Sequence, residues 1–310
     1  MKTVAPVESI LVSAETTVQV GWTQSMRAIV ELMKLRMVFH ILITTFVGFY
    51  FGAKIEFPWN SLGWALIGTG LLAISAFAFN QVTEKKHDAL MERTKKRPMP
   101  SDRLGIAAGY WVGIITGLLG TLLLAWKVNS LTSLLGVATV LLYAVVYTPL
   151  KRVTSLNTLV GAIPGAIPPL MGWTASHGAF GLGGWLLFAI LFFWQLPHFL
   201  AIAMMYQEDY TRGGFKMLSV TDPSGEACAR QILLQTLILL PVTLFPYVFG
   251  LAGGFYLASA TLLGAWFLFM AVKLWKTRSR PNAVKLFIVS LFYLPLLLII
   301  LAWDKTVIFI

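Results

Sequence analysis

Asn80, Glu84 and Asp88 recur at every fourth position of "NQVTEKKHDALMERTKKRPMP", residues 80–100, which follows the apolar run SLGWALIGTGLLAISAFAF. If the helix of that run continues, positions i, i+4 and i+8 stack on one face and make a row of oxygen donors. A hard cation such as Mg2+ takes one or two carboxylates and commonly completes its shell with substrate phosphates, so the chemistry on offer is capture of a diphosphate together with its metal. The same acids would also suit a solvated loop in which they pair with Lys85, Lys86 and Arg93. Asn80 weighs against the loop, because an amide at the end of an apolar helix is costly unless it is used. Arg93 and Arg97, with Lys95 and Lys96, precede the helix-ending Pro98 and Pro100. Two guanidinium groups there would clamp phosphate oxygens bidentately, or simply mark the cytoplasmic side of a membrane.

Two further segments carry polar groups after apolar runs. "YTPLKRVTSLN" presents Tyr147, Lys151 and Arg152, and "PHFLAIAMMYQEDYTRGGFKML" presents His198, Glu208, Asp209 and Lys216. His198 has three uses open to it: an axial ligand to haem iron, a contact to diphosphate, or a hydrogen bond within a helix bundle. His40 and His177 lie outside these segments and read as structural. The single cysteine, Cys228, excludes an intrachain disulfide or a cysteine-rich metal site.

The elements that carry these groups follow from composition. Of 310 residues, 57% are hydrophobic and 12% charged, and the mean hydropathy is +0.77, which belongs to an integral membrane protein. Apolar stretches long enough to cross about 30 Å of hydrocarbon give nine candidate spans, centred on 35–54, 60–82, 104–126, 130–149, 156–175, 183–206, 230–250, 254–275 and 284–303. The fold class is all-α: nine transmembrane helices around a cavity opening near the cytoplasmic face. The fifth span, with Pro164, Pro168 and Pro169, reads as a bent helix lining that cavity. Residues 1–32 form an N-terminal cytoplasmic tail, polar and aperiodic over 1–24, and 33–310 the helical domain. Of the 24 Lys and Arg, only Lys54, Lys127 and Lys305 fall on one side of this layout, which predicts a multi-pass protein of the cell membrane with its N-terminus cytoplasmic and its C-terminus opposite. The formal charge of +11 is then accounted for by anionic headgroups of membrane lipid, without nucleic acid.

In three segments the chain resembles the UbiA-type intramembrane prenyltransferases, and among them the haem-modifying branch. The first, Asn80–Pro100, matches N-x-x-x-(D/E)-x-x-x-D followed by M-x-R-T-x-x-R-P; the others are "YTPLKRVTSLNTLVGAIPGAIPPLMGW" and "WQLPHFLAIAMMYQEDYTRGGFKML". The resemblance implies Mg2+-dependent transfer of a farnesyl group from farnesyl diphosphate to a vinyl group of haem b, with addition of water. Asn80, Glu84 and Asp88 would hold the metal and diphosphate, Arg93 and Arg97 would neutralise departing pyrophosphate, and Tyr147, Lys151 and Arg152 would assist diphosphate binding. His198, Glu208 and Asp209 would complete the substrate site, the last two standing where the quinone branch has a second acidic motif. Haem b is then substrate, not resident cofactor, and the product would pass to a haem a synthase or a terminal oxidase as assembly partner. Lys86, Lys216 and Ser219 depart from the branch's usual Asp and prolines without touching the first motif. An aromatic prenyltransferase of quinone synthesis would share the metal site and differ in acceptor. A secondary transporter would place its polar groups at broken helices near the midplane instead.

Overall fold

The structure, a computed structural model, describes residues 22–53 and 57–306. It is helical almost throughout. The chain runs through α1 (Trp22–Met33), α2 (Leu35–Gly52), α3 (Trp59–Asp88), α4 (Ile106–Lys127) and α5 (Ser130–Leu141). A π-helical segment, Leu142–Tyr147, then joins α5 to the single turn α6 (Thr148–Leu150). There follow α7 (Asn157–His177), α8 (Leu182–Met205), the short α9 (Gln207–Arg212) and α10 (Leu218–Thr221), and finally α11 (Glu226–Val248), α12 (Gly254–Thr277) and α13 (Arg280–Trp303).

Among the described residues, eight of these rods are long and apolar enough to cross a membrane, counting α1 with α2 and α5 with its continuation through Leu150. The protein is a multi-pass membrane protein. The remaining long helix, α7, corresponds to the fifth expected span and falls short of that apolarity, so the full count of nine crossings is carried for eight. The physical reason is visible in its surroundings. Most of α7, including Pro164, Pro168, Pro169, Asn157 and Thr158, is buried inside the bundle, so neighbouring helices rather than lipid solvate it. Residues 22–32 of the expected tail form most of α1, which packs on α3, while residues 1–21 and Lys54 lie outside the described residues. Between α1 and α2 the chain breaks at Lys34, a non-glycine residue with φ 50° and ψ 47°.

Small residues set how closely the rods approach. A Cβ at Gly48 of α2 would lie 1.9 Å from the Pro169 carbonyl oxygen, and one at Gly172 of α7 would lie 1.9 Å from that of Thr45, so backbone meets backbone along this seam. Gly109, Gly113, Gly117 and Gly120 do the same for α4 against the side chains and backbone of α3. Large apolar side chains turn outward to lipid, and the exposed Trp59, Trp126 and Trp303 mark one interfacial belt at the ends of α3, α4 and α13. With 30 residues, α3 extends about 45 Å, more than the hydrocarbon thickness, and its last turns carry the acidic row.

Candidate active site

Asn80, Glu84 and Asp88 lie on one continuous helix, and all three are buried although they stand at its polar end. Each draws a different partner. The Asn80 amide donates to Thr148 Oγ1 at 3.1 Å, and that hydroxyl in turn donates to the Tyr143 carbonyl at 2.8 Å. Glu84 Oε1 pairs with Lys151 Nζ at 2.8 Å, and Asp88 Oδ2 accepts from Arg97 Nη1 at 2.7 Å. The acids are nevertheless incompletely satisfied. Asp88 Oδ1 has no hydrogen-bond donor, and Glu84 Oε1 holds Lys151 by charge without an aligned hydrogen bond. A buried polar atom without a partner normally costs about 1–3 kcal/mol, more for a charged group, so the donor-free Asp88 Oδ1 marks a place where a ligand would be accommodated.

The cations are placed by tertiary packing. The π-helical segment brings the Tyr143 and Tyr147 rings to 5.3 Å from each other, and Lys151 Nζ lies 4.6 Å from the Tyr147 ring. Mid-helix π turns of this kind recur at functional sites because they re-aim side chains that a regular helix would carry elsewhere. Gly161 makes room for Tyr147, since a Cβ there would lie 2.4 Å from the ring. Burial pulls the Lys151 ammonium towards neutrality, but Glu84, Tyr147 and Tyr143 outweigh it and hold the lysine above its ordinary range. It is a fixed positive charge.

The other expected residues fall into two groups. Arg152 is exposed and approaches the site indirectly, its Nη1 lying 3.4 Å from His87 Nε2. Arg93 does not reach the acids: its guanidinium stacks on Tyr206 at 4.7 Å and on Tyr210 at 4.5 Å. Asp209 accepts from the Glu92 backbone N–H at 2.9 Å and from Arg212; these hydrogen bonds outweigh the effect of its burial and keep its carboxyl below the usual range. Glu208 is exposed and lines, with Asp209, Arg212, Arg278 and Arg280, a separate polar cleft of about 380 Å³. His198 is buried between α8 and α13, with Nδ1 2.7 Å from Ser290 Oγ and its ring stacked on Trp194. None of these contacts joins it to the α3 acids. Among the described residues no cluster of three or more His, Cys, Asp or Glu could hold a metal by itself.

Three residues escaped the sequence reading. Thr148 fixes the Asn80 amide and Thr94 Oγ1 donates to the Asp88 carbonyl at 2.8 Å, ordinary hydroxyls with no distinguishing pattern. Lys34 Nζ lies 5.1 Å from the Phe77 ring, one turn before Asn80 on the same helix, and in the sequence it stands between Glu31 and Arg36 with nothing to single it out. Phe77, one turn before Asn80 on α3, and Tyr143 also border an apolar cavity of about 70 Å³ between α2, α3, α5 and α7, whose lining includes Thr69, Leu72, Gly136 and Met171. Pro164 and Pro168 line it, as expected of the proline-rich helix.

A buried acid row ringed by fixed cations, above an apolar cavity and inside a membrane bundle, is the frame of an intramembrane transferase acting on a lipid diphosphate, and the chain belongs to the UbiA prenyltransferase family, which it matches over residues 41–296. Within that family it is 41% identical over 289 residues to the protoheme IX farnesyltransferase of Solibacter usitatus, covering 90% of this chain and 99% of that protein. The fold agrees with solved structures of low sequence identity. One of digeranylgeranylglyceryl phosphate synthase superimposes with a TM-score of 0.77 at 14% identity, covering 91% of this chain and 98% of that one. A UbiA homologue from Archaeoglobus fulgidus, bound to GPP and Mg2+, gives 0.65 at 14% identity, covering 89% and 99%.

Proposed function

We propose that the protein transfers a farnesyl group from farnesyl diphosphate to a vinyl group of haem b, with addition of water, giving haem o and diphosphate. The acceptor assignment is supported by the relative at 41% identity, named as a protoheme IX farnesyltransferase, and the donor site by the geometry. The observation that carries the donor site is the buried, donor-free Asp88 Oδ1 on the same helix face as Glu84, with Arg97 and Lys151 paired to the two acids.

The donor set fits Mg2+. Two carboxylates and an amide supply part of a hard cation's shell and leave the rest to diphosphate oxygens and water, and the Archaeoglobus fulgidus homologue holds such a metal with its prenyl diphosphate. Bound there, the metal would offset charge that develops on the leaving diphosphate. Lys151 and Arg97 add fixed positive charge on either side of the row, strongest at the moment the carbon–oxygen bond breaks. The apolar cavity beyond Phe77 and Tyr143 lies where the hydrocarbon chain would begin to enter the bundle, and its apolar lining would keep water from the allylic cation. The haem vinyl group attacks that cation, and water captures the cation left beside the porphyrin. No covalent enzyme intermediate is required. The site faces the cytoplasm in this reading, with the N-terminus on the same side of the cell's inner membrane, and the product passes to an oxidase assembly partner.

The test is acceptor choice. Purified protein in detergent with Mg2+ and farnesyl diphosphate is offered haem b or 4-hydroxybenzoate, and products are weighed by mass spectrometry. Farnesylated, hydroxylated haem is expected; prenylated hydroxybenzoate alone would move the chain to the quinone branch.

A further inference from the structure

We propose that Asp209 is a positioning residue rather than a ligand of a second metal: it pins the 91–97 turn to α9, so that Arg97 meets Asp88 and the diphosphate. The inference rests on the donor half of the function proposed above and is independent of the acceptor.

One oxygen of the carboxylate carries both of its bonds to the protein. Its Oδ1 accepts from the Glu92 backbone N–H at 2.9 Å, a bond between residues 117 positions apart, and from Arg212 on its own helix. The side chains on either side of it reinforce the same junction, because Tyr206 and Tyr210 hold Arg93 between their rings. A third tie runs in parallel: His87 Nδ1 lies 2.7 Å from the Gly213 carbonyl, and the Gly213 N–H donates to the Asp209 carbonyl at 2.9 Å. The end of α3 and the turn after it are thus clasped by α9 at three points.

From Glu92 the constraint passes to Arg97 through short-range bonds. The Thr94 and Lys95 N–H groups both donate to the Met91 carbonyl, at 3.1 and 2.9 Å, and the Arg97 N–H donates to the Thr94 carbonyl at 2.9 Å. Thr94 Oγ1 closes the turn onto the Asp88 carbonyl. The Arg97 guanidinium then arrives at Asp88 Oδ2 at 2.7 Å without further help. A turn released at Glu92 loses the anchor that sets this approach, and a planar fork that misses its angle loses bidentate contact first.

An amide separates the two roles, because the side chain in Asp209→Asn still presents an oxygen to the Glu92 N–H, whereas a metal would exchange a charged donor for a weaker neutral one. The experiment measures binding of farnesyl diphosphate, without acceptor, to the full chain in detergent across a Mg2+ titration, for the wild type, Asp209→Asn and Asp209→Ala. Positioning predicts that Asp209→Ala weakens binding about tenfold at saturating Mg2+, a loss of one bidentate contact, with the Mg2+ midpoint unchanged, and that Asp209→Asn stays within about twofold of wild type by keeping the hydrogen bond. Should Asp209→Ala fail to fold, Asp209→Asn decides alone: near-normal binding with a normal Mg2+ midpoint supports the pin. A shifted Mg2+ midpoint in Asp209→Asn, or wild-type binding in a folded Asp209→Ala, overturns it. Failure of the wild type to modify haem b, with farnesyl diphosphate binding intact, would count against the acceptor and leave this result standing.

Discussion

Asp88 and Asp304 stand at opposite ends of the bundle and show two ways of keeping an acid in a membrane protein. Asp304, just after α13, spends its carboxylate on structure: Oδ2 accepts from the Tyr256 N–H at 2.7 Å in the first turn of α12, and its backbone carbonyl accepts from the Gly253 N–H at 3.0 Å. That bond satisfies an orphan donor and places negative charge at a helix N-terminus, so the acid is at rest without a ligand. Asp88 is more deeply buried, has Arg97 on one oxygen and nothing on the other. Asp88 thus leaves a buried carboxylate oxygen without a donor, whereas Asp304 leaves no such buried orphan. By the same criterion Asp209, whose bonded oxygen takes the Glu92 N–H and Arg212 and which leaves no buried oxygen orphaned, belongs with Asp304.

The largest effect that would sharpen this contrast is catalytic. Asp88→Asn leaves packing untouched but removes the charge facing the diphosphate and its metal, and farnesyl transfer is expected to fall at least about 100-fold with the protein still folded in the membrane. Activity near wild type at ordinary Mg2+ would break the contrast. Next comes the buried pair. Lys151→Met strands Glu84 and is expected to cost about 3–5 kcal/mol of stability, while Glu84→Gln combined with Lys151→Met recovers most of that stability and none of the activity, as thermal unfolding and turnover would show. The pair also has a pH signature. A lysine raised above its unfolded-state value contributes stability that is complete below that value and lost only as pH climbs through the folded value, so unfolding temperatures should show no step from this pair between neutral pH and about 10.

Smaller effects follow at Arg97 and His198. Arg97→Lys keeps charge and loses the planar fork, and the KM for farnesyl diphosphate is expected to rise about tenfold with kcat less affected, whereas a mere topology signal would leave both unchanged. His198→Ala removes the partner of Ser290 and is expected to cost about 1–3 kcal/mol in stability while haem b binding and its absorption spectrum stay as they were. A lost or shifted spectrum would restore the axial-ligand role. Smallest of all, Asp304→Ala is expected to cost about 1 kcal/mol, as loss of a helix cap does, with kinetics unchanged.

The acidic row was legible because it is a local property: a helix places every fourth residue on one face, and an apolar run of that length had to end where the charges begin. Span positions were legible for the same reason, down to the proline-rich helix beside the cavity. Partner choice was not. Arg93 and Arg97 are equivalent in sequence, and the approach of Tyr206 and Tyr210 from more than a hundred residues away engages Arg93 on their rings while Arg97 pairs with Asp88. The pairing of Lys151 with Glu84 depends on a π-helical segment that no composition announces, and the face of α8 that carries His198 depends on α13 being there to receive it. The break at Lys34 lacks the glycine or proline that would have signalled it. The fifth expected span, α7, is a long helix walled in by its neighbours, and it is less apolar than the eight that qualify as membrane spans among the described residues.

The most direct test of the donor-free Asp88 oxygen is divalent metal binding read with and without the diphosphate. Mn2+, standing in for Mg2+, is titrated into detergent-solubilised protein and followed by electron paramagnetic resonance. Two carboxylates with an amide hold a divalent ion weakly by themselves, so the account predicts loose binding to the protein alone, tight binding once farnesyl diphosphate is present, and loss of the tight phase in Asp88→Asn. Equal Mn2+ affinity with and without farnesyl diphosphate, or a tight phase that survives Asp88→Asn, would contradict it.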